Sequence, residues 1–131
     1  MKAKLACLSA VTAVTLAAPA LAHHSFAMFD AEKTITMQGT VKEFEWVNPH
    51  SWLRVMIKDE KSGQLGVWAL ELSSPARLKR MGMSADSVKP GDTVSVTFHP
   101  LKDGARGGQF IQAVLPDGKR VARADADDEN K

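Results

Sequence analysis

Four histidines carry most of the chemistry open to this sequence: His23, His24, His50 and His99. Imidazole nitrogens suit copper, zinc or nickel. A cut after Ala22 makes His23 a new N-terminus. Its α-amine and ring nitrogen then form a bidentate chelate fitted to Cu(II), with the nitrogen of His24 next door. His50 lies in Trp46-Val47-Asn48-Pro49-His50-Ser51-Trp52, and His99 in Phe98-His99-Pro100-Leu101. Either segment can equally use its histidine to order a turn, because Asn-Pro and His-Pro are turn chemistry. Glu45 or Glu71 could add an oxygen ligand. Soft sulfur is a second source of ligands: Met81-Gly82-Met83 resembles a thioether clamp for Cu(I), with Met28, Met37 and Met56 elsewhere. Methionine also fills cores, and Met37 and Met56 fall at strand-core positions.

Catalysis has little to work with. Glu43, Glu45 and Glu71 are carboxylates on strand-like segments, and nothing in their spacing makes two of them meet. Ser73-Ser74 reads as a helix cap rather than a nucleophile. Gly104, Gly107 and Gly108 lie between strands, not between a strand and a helix as a phosphate loop requires. The expectation is therefore a protein that is not an enzyme. A metal-free alternative rests on the aromatic residues: Trp46, Trp52 and Trp68, with Asn48 and Glu71, could line a face for a small molecule, a glycan or a periplasmic protein partner.

These residues need a compartment and a scaffold. Lys2 and Lys4 precede a mostly apolar run from Leu5 to Leu16, and Ala20-Leu21-Ala22 supplies a small-x-small cleavage site. Residues 1–22 thus read as a cleaved export signal, and the protein as periplasmic. No later stretch approaches the roughly 20 apolar residues of a membrane span. The full chain of 131 residues has a net charge of +2, and the two lysines of the signal account for it. A neutral mature chain gives no electrostatic case for nucleic acid, since phosphate binding needs clustered Lys and Arg. The single cysteine, Cys7, leaves with the signal, so no disulfide is expected.

Residues 23–33 form a polar–aromatic leader that Phe26 and Phe29 would pin to the body. Residues 34–121 form the body. Ile35, Met37, Gly39 and Val41 alternate as one strand face, after which the phase shifts to Phe44 and Trp46. A one-residue shift after a strand glycine predicts a β-bulge. Leu53, Val55 and Ile57 alternate with Trp52, Arg54 and Met56 in a second strand. The segment from Leu65 to Leu72 makes a third. Ser74-Pro75 opens a short helix that stops at Gly82. Thr93 to Phe98 and Phe110 to Leu115 complete five strands, and the charged tail of residues 122–131 should be disordered. Five strands, a bulged first strand and a helix after the third predict an all-β chain: a small OB-fold-like barrel. In that fold His50 and His99 occupy rim loops.

The segments His23-His24-Ser25-Phe26, Gly39-Thr40-Val41-Lys42-Glu43-Phe44-Glu45-Trp46-Val47-Asn48-Pro49-His50 and Trp68-Ala69-Leu70-Glu71 resemble domain-of-unknown-function family 6152, a family of small exported bacterial proteins. Ser74-Pro75, Lys89-Pro90-Gly91-Asp92 and His99-Pro100 fit the same pattern. The resemblance implies the compartment, a small barrel and all four histidine positions, and it implies no reaction. Met83 departs from it, where a tryptophan would be expected, which weakens the Met81/Met83 clamp. Two readings follow. One is a carrier or sensor binding copper or zinc through His23, His24, His50 and His99, similar in outline to small copper chaperones. The other is the metal-independent module with a tryptophan-lined face.

Overall fold

The structure is a computed structural model, and it describes residues 26–123. The expected signal, His23, His24 and most of the expected tail lie outside these residues. A 3₁₀ turn (Phe26–Met28) leads into strand β1 (Ile35–Glu45), followed by β2 (Trp52–Lys58), β3 (Leu65–Glu71), helix α1 (Pro75–Arg80), β4 (Thr93–Pro100), β5 (Gly107–Val114) and β6 (Arg120–Ala122). The long β1 pairs with β4 through its first half and with β2 through its second. β2 pairs with β3, and β4 with β5, all antiparallel. A parallel pairing of β3 with β5 closes the ring through Ala69↔Gly107, Leu70↔Gly108 and Glu71↔Gln109. The result is the expected five-stranded OB-fold-like barrel, with the helix between β3 and β4.

Two local features let one strand serve both neighbours. The register of β1 against β2 slips between Val41 and Glu43, so the bulge sits at Lys42, where the apolar phase changes. Gly39 lets β2 cross closely: a Cβ there would lie 2.5 Å from the Met56 carbonyl oxygen. Inward positions then fill the core. Val41, Leu53, Val55, Leu70, Val94, Val96, Phe98 and Phe110 are almost wholly buried, and the Trp68 ring packs on Phe98 with centroids 5.6 Å apart. Leu78 of α1 plugs the barrel with Met83, which is core and not part of an exposed sulfur clamp.

Other details differ from the sequence expectation. Ser74 holds the N-cap position of α1, but its hydroxyl makes no cap bond; Pro75, which has no N–H to satisfy, starts the helix instead. β4 runs two residues past Phe98, and β5 starts three residues before Phe110, because the glycines at 107 and 108 pair as strand. Gly108 faces inward, where a Cβ would overlap the Phe98 ring and the His99 carbonyl. A sixth strand, β6, returns along β5 after the Pro116-Asp117-Gly118 turn. Ala122 therefore pairs with Gln112, and the Arg123 amide donates to the Ile111 carbonyl at 2.8 Å.

Candidate functional site

Strand pairing aligns Trp52, Glu71, Gln109 and His99 in one row across β2, β3, β5 and β4. Each is one step out of phase with a core residue, so the row faces away from the barrel interior. Glu71 and His99 are nevertheless buried, at 6% and 2% exposure. Two different segments cover them.

The loop between β1 and β2, which includes a cis Asn48–Pro49 peptide, covers Glu71. Ser51 ties that loop down: its amide donates to the Ser73 carbonyl (3.1 Å), and its carbonyl accepts from the Leu72 amide (2.8 Å). His50 is thereby held over the end of β3. Its Nδ1 stands 3.1 Å from Glu71 Oε1 and 3.2 Å from the Leu72 carbonyl oxygen. Both partners are acceptors, so Nδ1 carries the ring proton in the neutral form.

The leader covers His99. Phe29 is buried and bridges to Leu101, the Asp30 amide donates to the Pro100 carbonyl, and the Lys102 amide donates to the Met28 carbonyl. His99 Nδ1 donates to the Lys33 carbonyl at 2.8 Å. This histidine thus fastens the leader to β4, and its tautomer matches that of His50. No buried side-chain nitrogen or oxygen among the described residues lacks a partner.

A cavity of about 290 Å³ opens beside His50 and Glu71. Leu72, Phe110 and Pro49 give it apolar walls, while Ser73, Ser74, Gln109, Arg77 and Arg123 bring polar groups. Sequence reasoning missed Arg77, Gln109 and Arg123. Arg123 falls in the stretch read as tail, and the start of β5 and the residue after β6 bring Gln109 and Arg123 to the cavity that Glu71 lines. The OB-fold strand order carried a usable signal, since it sets the end of β3 beside the start of β5.

The predicted residues separate into groups. His50 and Glu71 meet, whereas His99 does not line their cavity. Among the described residues no three His, Cys, Asp or Glu side chains stand together as a metal site. The three tryptophans do not share a face either. Trp52 belongs to the outward row with Glu71, while Trp46 and Trp68 pack against the core. Trp46 meets Phe44 edge-on at 5.6 Å, and Asn48 is exposed in the loop. Trp68 also borders a second cavity of about 980 Å³, between the β2–β3 hairpin, the start of β1 and Arg106. No helix among the described residues is long and apolar enough to cross a membrane.

The sequence profile of a family of unknown function, DUF6152, matches residues 11–111, which include His23, His24, His50, His99 and Glu71. The chain belongs to the DUF6152 family. Of the residues lining the cavity of this DUF6152 protein, Arg123 alone lies beyond the matched segment. No curated protein matches the chain in sequence. Among solved structures, the mitochondrial single-stranded DNA binding protein Rim1 of S. cerevisiae is similar at a TM-score of 0.46 and 13% identity, covering 63% of this chain and 93% of that one.

Proposed function

We propose that this DUF6152 protein is an exported, periplasmic ligand-binding barrel whose site is the rim cavity beside His50 and Glu71. One observation carries the reading: a buried carboxylate orients an imidazole at the wall of a cavity that also has apolar sides. Burying a carboxylate is costly unless it is paired, so the pair defines a fixed, preorganised wall. Small-molecule sites combine apolar walls with a few fixed polar groups in this manner. Arg77 and Arg123 beside the pair oppose a bare cation there, which favours the metal-independent module. The role is binding rather than catalysis. Nucleic acid is no part of it, given the neutral charge balance of residues 23–131. The test is a small-molecule screen read at the His50 ring signals by NMR. Binders that shift His50 and are lost in Glu71→Ala support the reading; binders that shift only Trp68 would move the site to the second cavity.

Copper or zinc binding is the second reading, favoured by the shared tautomer of the two barrel histidines. Metal-ligating histidines commonly donate their other ring N–H to a carboxylate or a backbone carbonyl, as His50 and His99 both do. His23 and His24 would complete the ligand set. Export is supported by the basic start, apolar run and Ala20-Leu21-Ala22 of residues 1–22. Mass spectrometry of the periplasmic protein should find His23 as its first residue. Calorimetric titration of that protein with Cu(II) and Zn(II) then decides: one ion per chain at sub-micromolar affinity, lost in the His50→Ala/His99→Ala pair, supports metal. Weak or superstoichiometric heat rejects it.

A further inference from the structure

We infer that the ligand of the rim cavity is a small organic carboxylate, gripped by Arg77, with the charge of Arg123 at the same wall; this rests on the reading of that cavity as the binding site. Two guanidinium groups and one carboxylate line it, and Glu71 directs that carboxylate's Oε1 to the His50 ring proton. The balance of formal charge is positive. Arg77 has no hydrogen-bond or ion-pair partner for its guanidinium among the described residues, and the planar fork of arginine matches a carboxylate. The Ser74 hydroxyl is not consumed by helix capping and remains a donor at the same wall.

The remaining walls select within anions. Pro49, Leu72 and the buried Phe110 suit an apolar body attached to the charged group. A phosphate dianion would bring two charges close to Glu71 and leave those walls unused. At about 290 Å³ the space is at the lower end for ligand sites, which excludes a nucleotide and fits a short acid. The inferred ligand is therefore a monocarboxylate with a compact apolar body.

The experiment compares butyrate and benzoate with butyramide, benzamide and inorganic phosphate on the purified full chain, following the His50 ring signals. At least one acid should bind saturably, about tenfold or more tightly than its amide or phosphate. Arg77→Gln should weaken it about tenfold, consistent with the loss of one charge-assisted hydrogen bond, and Arg123→Gln should weaken it through the loss of a nearby positive charge. Thermal unfolding of both variants at the wild-type temperature keeps the result from being a folding effect. Equal binding of acid and amide, or unchanged binding in both arginine variants, overturns the carboxylate inference while leaving the cavity as a ligand site. Failure of every acid also overturns it, and shifts of His50 by neutral compounds in the broader screen would still uphold the reading beneath. Preference for phosphate replaces the ligand class.

Discussion

His50 and Glu71 share one proton position: Nδ1 of the ring lies 3.1 Å from Oε1 of the carboxylate, with the Leu72 carbonyl also in reach. Removing the ring leaves the buried carboxylate short of a donor. His50→Ala should therefore lower stability by about 1–3 kcal/mol, the cost of stranding such a group. In a Glu71→Gln background the same substitution should cost less, because a neutral amide tolerates the missing donor better. Urea denaturation of the two single variants and the double variant measures this difference as a coupling energy.

Glycine at 39 and at 108 is set by contact. Gly39→Ala would force a methyl group against the Met56 carbonyl and the Val55 and Ile57 side chains, and Gly108→Ala would force one into Phe98 and the His99 backbone. Each should cost about 1–3 kcal/mol, or prevent folding where the backbone cannot yield. At Gly104 nothing stands within 4 Å, but φ is +78°, so Gly104→Ala should cost only the left-handed backbone penalty of about 1–2 kcal/mol. Thermal unfolding should rank Gly104→Ala as the mildest of the three.

The leader should loosen in acid. A hydrogen bond from Lys33, 3.0 Å away, holds the Asp30 carboxyl below its ordinary value of 3.8, and the charge of Lys33 adds to this. A carboxyl lowered by folding contributes stability that is complete above its unfolded value. That contribution disappears as the pH falls through the lower folded value. Lys33 also supplies the carbonyl that binds His99, so the leader should feel the loss. Protection factors of the Asp30 and Lys102 amides, exchange rates corrected for the intrinsic pH dependence, should fall as the pH drops below about 4. In Asp30→Asn that acid dependence should shrink. Exchange equally acid-sensitive in Asp30→Asn would sink the argument.

The alternation of Leu53, Val55 and Ile57, the phase change between Val41 and Phe44, and the Ser-Pro and Gly signals around α1 were enough to read the barrel, since each reports a local backbone period. The bulge and the helix boundaries came from the same local grammar. β6 was not readable: Arg120–Ala122 has only Val121 buried, too short a run to show alternation. The burial of Glu71 and His99 was equally hidden, because both stand on the outward face of their strands. Only the loop carrying His50 and the leader carrying Phe29 cover them, and such coverage is a tertiary event with no period of its own. Of the candidate site, His50 and Glu71 were visible as residue types, whereas the cavity they share with Gln109 and Arg123 depends on closure of the ring.

That closure consists of three residue pairs between β3 and β5. The cavity draws on the loop before β2, the end of β3, α1, the start of β5 and the residue after β6. On the proposed reading, no contiguous stretch of chain recognises the ligand before the ring has shut, and occupancy is coupled to that pairing, whose partners lie 38 residues apart in sequence. Mass action then makes the ligand a clasp on the whole fold: at a hundred times its dissociation constant it would add about 2.7 kcal/mol to global stability. On the proposed reading, such a protein would report the presence of its ligand by how long it survives unfolding and proteolysis.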